Sequence, residues 1–328
     1  MSCVDVVVPC YRYGHFLREC VESALIQSGP ALRVLIIDDA SPDNTAEIAE
    51  ELVCSDSRVD YRRHTSNQGL IATANEGIAW ARADYMLLLS ADDYLLPGAL
   101  SRSVDLMDNH PSVAFVFGSA VVLDQRGERS ALRTGVGVET HILSGLDFIA
   151  LNRAKNIVPS PTVVVRTGLQ KKLGGYLADL PHTSDMEMWL RFAAHGDVGV
   201  IAAEQAVYRW HSANMSSGYS PEEDLLQRKA AIEHFLSGCA AVLKNVDDLR
   251  TWLTRQLALD AISCASAAFN KGELERSARL SKLALDFDPG VQRSSRRWLL
   301  ACKRSIGPRA WQRLRPVVDR FRSISRKH

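Results

Sequence analysis

The sequence predicts an α/β protein, a mostly parallel sheet flanked by helices, followed by an α-helical C-terminal extension. Two observations carry this. Short apolar runs alternate with stretches whose apolar residues recur at helical spacing through the first hundred residues. From about Pro221 onward the strand-like runs stop and helical spacing continues.

Each element follows from its residues. VDVVVP (Val4–Pro9) is an apolar run ended by proline, which suits a buried strand, and FLRECVESALIQ then has helical spacing. RVLIIDD is a second buried strand, and Ser41, Pro42 and Asp43 form a turn into an acid-rich helix start. VDYRRH gives a third strand, NQGLIATANEGIAWA a glycine turn and a helix, YMLLL a fourth strand, and PGALSRSVDLMDN the next helix. After SVAFVFGSAVVLD the alternation is irregular. NIVPSPTVVVR reads as a strand after a proline turn, TSDMEMWLRFAAHG as a capped amphipathic helix, and EQAVYRWHSANMSSG as a strand running into a polar loop. LALDAISCASAAFNKGELERSARLSKLALDFDPG is two helices joined near Lys271 and Gly272. The pair is similar to one tetratricopeptide-type unit, although solenoids need about three or more.

Charge is unevenly spread along the 328 residues. Val291 to His328 carries 12 Lys/Arg and one acid, Asp319, a balance of +11, whereas the remainder stands at −10. The seven cysteines (Cys3, Cys10, Cys20, Cys54, Cys239, Cys264, Cys302) show no CxxC spacing and read as free thiols in a reducing compartment. MSCVDVVVPCYRYG has no basic leader before a long apolar stretch, and no segment approaches the ~20 apolar residues of a spanning helix. A cytoplasmic protein is expected, with any membrane contact peripheral on the inner face.

The first functional signal is positional. Asp38 with Asp39, and Asp92 with Asp93, both stand where apolar strands end. Open α/β sheets bind ligands beyond the carboxyl ends of their strands. Adjacent carboxylates repel one another and are accommodated most readily beside a cation or a phosphate-bound metal. GxGxxG and GxxxxGK[ST] are both absent, which argues against a dinucleotide-dependent dehydrogenase and a P-loop ATPase.

Four motifs then occur in order: VVVPCYRYGHFLRECVESALIQ, VLIIDDASPDNT, NQGLIATANEGIAWARADYMLLLSADDYLLPGAL and SDMEMWLRFAAHG. Together they resemble the family 2 glycosyltransferases, inverting enzymes with the GT-A fold, over roughly Val4 to Ser217. The resemblance implies a Rossmann-like sheet domain over 1–220, with a nucleotide-binding half (1–110) and an acceptor-binding half (111–220). A helical extension (221–290) and a basic tail (291–328) would follow. It also implies a nucleotide-sugar donor, most often a UDP-sugar, a divalent cofactor (Mn²⁺ or Mg²⁺), and a saccharide or lipid-linked acceptor. Cell-surface polysaccharide or glycan biosynthesis is the implied setting.

The implied roles fall on particular residues. SADD occupies the position of the family's Asp-X-Asp motif, with Ser90 in place of the first acid. Asp92 would hold the metal against the diphosphate, Ala91 would lie against the nucleotide, and Ser90 would touch the ribose or position it. The plainer reading is that Asp92 and Asp93 cap the helix starting near Pro97. Asp39 would meet the base, with Pro9 and Tyr11 as the wall of its site. Alternatively, Asp38, Asp39 and Ser41 organise a turn before a helix, and Ser41 through Thr45 read as structural. Asn67, with Gln68 and Gly69, could reach the nucleotide, though a turn also explains it.

Asp185 matches the family's base position, where Ser184 replaces a customary acid. A single carboxylate suffices to deprotonate the acceptor hydroxyl in an inverting displacement. Glu187 is its rival and an N-capping role its plainer reading, while Trp189 and Arg191 read as structural. His211 could complete the metal shell or touch the diphosphate, and Arg209 could do the latter equally well. Gly175 and Tyr176, in the GGY stretch with Gly174, would sit near the acceptor, or simply form a turn.

GPRAWQRLRPVVDRFRSISRKH places Trp311, Leu314, Val318 and Phe321 at helical spacing among arginines, interrupted by Pro316. Residues 310–328 therefore suit a helix lying on anionic lipid, or equally a packing helix with a solvated Arg face. Nucleic acid is not expected as a partner, because no recognition fold accompanies the charge. Two other functions fit parts of the pattern: a nucleotidyltransferase, which would release pyrophosphate, and a non-catalytic nucleotide-sugar-binding scaffold. The missing acids at Ser90 and Ser184 are what keep the scaffold open.

Overall fold

The computed structural model describes residues 2–132, 139–212, 214, 218–311 and 313. Contacts divide the chain into two compact units, Met1–Gly218 with Ser237–Leu243, and Tyr219–Leu236 with Lys244–His328.

The first unit begins with the alternation expected of it. β1 (Cys3–Cys10), α1 (Gly14–Leu25), β2 (Ala31–Asp38), α2 (Thr45–Ser55), β3 (Val59–Arg63), α3 (Leu70–Trp80) and β4 (Tyr85–Leu88) follow one another. β5 (Tyr94–Leu95), α4 (Ala99–Asn109), β6 (Val113–Leu123), β7 (Arg129–Leu132), β8 (His141–Leu143) and α5 (Gly145–Asn152) come next. A 3-10 turn (Ser160–Thr162), β9 (Val164–Arg166), α6 (Thr167–Leu173), α7 (Ser184–Ala193) and β10 (Asp197–Arg209) complete the series.

Hydrogen bonding orders the strands β3-β2-β1-β4-β9-β6-β10-β5, with β7 on β6 and β8 on β10. β3, β2, β1 and β4 are all parallel, as the alternation of strand and helix requires. Beyond β4 the sheet is mixed: β9 runs antiparallel to both β4 and β6, while β6 and β10 pair in parallel. The chain leaves β1 toward β2 and β3, then returns to add β4 on the other side of β1. That reversal opens a crevice at the carboxyl ends of β1 and β4, the place where such sheets bind ligands.

Helices cover both faces, so β1 is a near-continuous apolar run rather than an alternating one, broken only by buried Asp5, which pairs with Arg33 at 2.8 Å. Val4, Val6 and Val8 join one core cluster with Leu17, Cys20 and Val21 of α1 and with Leu100 and Val104 of α4. Val7 points to the other face and meets α3 at Gly77, where a Cβ would stand 2.1 Å from Val7 Cγ1. Glycine is required there by the closeness of helix to strand.

The second unit is helical: α8 (Pro221–Gly238), α9 (Val246–Asn270), α10 (Leu274–Phe287), a 3-10 turn (Pro289–Arg293) and α11 (Ser295–Ile306). α9 and α10 join through Gly272 at φ +84° and face each other through small residues, among them Ala261, Ala265, Ser277, Ser281 and Ala284, all buried. Arg228 of α8 donates to Asp260 of α9 at 2.7 Å. Trp311 does not join a lipid-facing stripe. It is buried, its Nε1 donates to Asn270 Oδ1 at 2.9 Å, and Lys303 Nζ lies 4.8 Å from its ring. For that residue the packing role holds; residues 312 and 314–328 of the basic tail lie outside the described residues. Among the described residues no helix is long and apolar enough to cross a membrane.

Gly77→Ala should destabilise the first unit by about 1–3 kcal/mol, the usual penalty of overpacking. Urea denaturation measures it; a change below about 0.5 kcal/mol, the range of surface substitutions, would contradict the close contact with Val7.

Candidate active site

The two acids that end β2 turn in opposite directions. Asp38 stays in the turn: it accepts Ser41 N–H at 2.7 Å and the Tyr61 hydroxyl at 3.2 Å, and it pairs with Arg63 at 3.3 Å. Ser41 in turn accepts the Arg12 N–H at 3.0 Å. Arg12 and Ala40 both hold left-handed backbone (φ +64° and +59°), so the loops after β1 and β2 are strained where they meet. Tyr11, 39% exposed, is presented at this edge beside buried Pro9.

Asp39 is 3% exposed and faces the start of α3. Its Oδ1 accepts Gln68 N–H at 2.7 Å and lies 2.7 Å from His64 Nδ1, while its Oδ2 accepts Gly69 N–H at 2.8 Å. Burial pushes this carboxyl up, but the bonds from Gln68, His64 and Gly69 outweigh it and hold the group below its usual range. His64 Nε2 is 2.8 Å from Glu76 Oε2, and Arg62 donates to the other Glu76 oxygen at 3.0 Å. Asn67 stands exposed beside these amides; the backbone of Gln68 and Gly69, rather than the Asn67 side chain, is what meets Asp39.

Beyond β4, Ser90 to Asp93 form a tight turn in which Asp93 N–H donates to Ser90 O at 2.9 Å. Ala91 is fully buried. Neither acid caps α4, whose N-cap is Gly98 with no side-chain bond. Asp93 Oδ1 accepts the Arg209 N–H at 2.9 Å, tying the turn to the end of β10. Arg209 was a candidate for the diphosphate, but its guanidinium is engaged within the protein. It donates to Asp92 O at 2.5 Å, pairs with Glu19, and lies between the rings of Phe16 and Tyr94 at 4.6 and 4.8 Å. His211 Nε2 faces Asp92 Oδ2 at 3.1 Å.

Burial raises the Asp92 carboxyl against the opposing pull of its own N–H, His211 and Arg209. Asp93 is pushed well up by burial and by Asp92. Two buried neighbouring carboxyls so raised gain from an added positive charge. Asp92 and His211 supply two donors. Among the described residues no group of three His, Cys, Asp or Glu is arranged to hold a metal ion by itself, so a divalent ion held here would draw its other ligands from phosphate and water.

Asp185 lies in the first turn of α7, where Thr183 caps without a side-chain bond. Its Oδ2 accepts Asn156 Nδ2 at 2.7 Å and the Ser160 hydroxyl at 3.1 Å, and its Oδ1 accepts Met186 N–H at 2.7 Å. Burial nevertheless dominates and raises this carboxyl, against those three bonds and His182. Glu187, the rival base, is fully buried and bonded to Arg191 at 2.8 Å. Arg191 also donates to Leu173 O at 2.5 Å and Gly175 O at 2.9 Å, so the pair fastens the GGY turn. Ser184 accepts Leu177 N–H at 2.7 Å and fastens the same turn.

Sequence reasoning overlooked four residues here. Asn75 grips both backbone groups of Tyr176, accepting its N–H at 2.7 Å and donating to its C=O at 2.9 Å. Gly175 is obligatory beside it, because a Cβ would lie 2.1 Å from Asn75 Oδ1. Asn156 lies just before, and Ser160 between, Pro159 and Pro161, with no spacing signal, whereas His64, directly after β3, could have been found by the same strand-end rule that found Asp39.

The model of glycosyl transferase family 2 matches residues 5–167. This chain belongs to glycosyl transferase family 2. Its fold is GT-A-like: Staphylococcus aureus TarS residues 1–349, solved with UDP-GlcNAc, superimposes with TM-score 0.65 at 20% identity, covering 89% of this chain and 81% of that one. A Pyrobaculum calidifontis mannosyltransferase in complex with GDP-Man and Mn²⁺ has TM-score 0.54 at 16% identity, covering 95% and 83%. Among curated proteins, a Rickettsia felis glycosyltransferase is 23% identical over 262 residues, 74% of this chain; the chain spans only 42% of that relative. Asp185 and His211 lie beyond the residues the family model matches.

Asn75→Ala should remove both bonds to Tyr176 and lower stability by about 1–3 kcal/mol. An unchanged denaturation midpoint would show that the GGY turn does not depend on it.

Proposed function

We propose that this glycosyltransferase moves a sugar, with inversion, from a UDP-sugar to a hydroxyl of a saccharide or lipid-linked acceptor, with Asp185 as the base. The observation that carries the reading is the Asp185 carboxylate. It sits at the start of a helix, is oriented by Asn156 and Ser160, and is raised by burial toward the proton affinity a general base needs. As the acceptor oxygen attacks the anomeric carbon and the nucleotide departs from the opposite face, Asp185 takes the hydroxyl proton. Tyr176, whose phenol is pushed up by burial and by Asp185, offers a ring beside the acceptor, and Gly175 keeps the backbone close.

On the donor side, Tyr11 and Pro9 provide the wall against the base, Asp39 its polar partner, and Asn67 and Ala91 the flanks. Asp39 supports uridine in particular. Its Oδ1 already receives two donors and its Oδ2 one, leaving a single acceptor direction. One imide N–H, as in uracil, uses that direction, whereas the two parallel donors of guanine would call on both oxygens.

Asp92 and His211 fit a divalent ion, Mn²⁺ or Mg²⁺. When bound, such an ion supplies positive charge against the diphosphate as it leaves. Asp93 and Arg209 keep Asp92 facing the crevice. With these roles go a donor half (1–110), an acceptor half (111–220) that lends His211 to the ion, and, by analogy with the family, a place in surface glycan biosynthesis.

Asp185→Asn should lower kcat by roughly 10²–10⁴-fold, the worth of a general base, while UDP affinity stays within about twofold. Released nucleoside diphosphate is the readout; release of pyrophosphate, or an undiminished kcat, contradicts the assignment. Because the ionised base is the active form, the wild-type rate should fall as pH drops through an apparent pKa above the ordinary aspartate range. A rate that holds down to pH ~4, the unperturbed aspartate value, would also contradict it.

A further inference from the structure

His64 is clamped between two acids. Nδ1 lies 2.7 Å from Asp39 Oδ1 and Nε2 lies 2.8 Å from Glu76 Oε2, with the side chain only 7% exposed. A neutral imidazole has one donor and one acceptor nitrogen, and an ionised carboxylate can only accept. A neutral ring would therefore set one nitrogen lone pair against a carboxylate oxygen at contact distance. Both bonds form only when both nitrogens carry protons, and both have the short lengths of charge-assisted bonds.

We propose that His64 is a positioning residue of the donor site, an imidazolium that holds Asp39 and the Gln68–Gly69 amides in place, so that nucleotide affinity falls when the ring loses its second proton. The inference rests on the reading of Asp39 as the partner of the base. It extends that reading to a residue that touches neither substrate nor metal.

The surrounding charges agree. Asp39 comes from the loop after β2, and Glu76 from α3. Arg62 of β3 donates to Glu76 Oε1 and keeps that acid ionised. Arg63 of β3 is turned to Asp38 and Ser41 O, so it does not substitute for the ring at Asp39. Burial alone would lower the His64 pKa, but the bonds to Asp39 and Glu76 outweigh it and raise it. The sign follows from linkage. A proton held more tightly in the folded state stabilises fully below the unfolded value near ~6.5, and that stabilisation is lost as pH rises through the folded value.

The test pairs ¹⁵N NMR of the His64 ring with calorimetric titration of UDP from pH 6 to 9. Both nitrogens should be protonated at pH 7, and the Kd should rise by up to about tenfold per pH unit above the ring's own midpoint. Glu76→Gln should move the ring midpoint and the affinity midpoint to lower pH together. His64→Gln should bind with the weak high-pH affinity at every pH, apart from the nucleotide's own titration. A singly protonated ring at pH 7, an affinity flat across the ring's titration, or midpoints that move apart would each overturn the proposal. If the ring is doubly protonated but UDP binds at no pH, the base-contact reading of Asp39 fails, and the link from His64 to affinity fails with it.

Discussion

The site depends on a pair of adjacent carboxylates held out of water at the turn after β4. Asp92 and Asp93 are 6% and 2% exposed, and burial raises both. Such a pair is stable only where surrounding groups compensate it. Here β10 does so, paired antiparallel with β5, which begins directly after the turn. Arg209 supplies a backbone N–H to Asp93 and a guanidinium to the Asp92 carbonyl, and His211 faces the Asp92 side chain. The compensation is partial, which leaves Asp92 able to gain from a further cation. The end of β10 therefore does structural work first, and what remains unsatisfied is what can bind.

In the proposed reaction α3 connects the donor and acceptor sides. Its neighbouring residues Asn75 and Glu76 point to different partners: Asn75 to Tyr176 of the acceptor-side turn, Glu76 through His64 to Asp39 of the donor side. Gly77, the next residue, lets the same helix lie against Val7 of β1. Three consecutive positions thus set one helix against the sheet, the donor loop and the acceptor turn. A shift of α3 would be felt at both proposed substrate positions.

β1 to β4 and the strand-end positions of both acid pairs were legible because an apolar run that ends in carboxylates has few interpretations in a sheet covered on both faces, whereas the short strands β5, β7 and β8 were not. Asp185 was legible only through the order of motifs. Glu187, two residues on, is distinguished by its Arg191 partner one helical turn away. The antiparallel insertion of β9 was not legible, since three residues, Val164–Arg166, carry no directional signal. Nor were Asn75, Asn156 and Ser160, whose partners lie 25 to 101 residues away along the chain. Arg209 was read as free to meet phosphate, because nothing local announces that its charge is already paired.

Calorimetric titration of UDP with and without Mn²⁺ decides whether Asp92 binds a divalent ion together with the nucleotide. Mn²⁺ should tighten UDP binding by about tenfold or more in the wild type, and the gain should disappear in folded Asp92→Asn. Equal affinity with and without the ion, or an undiminished gain in Asp92→Asn, would contradict it.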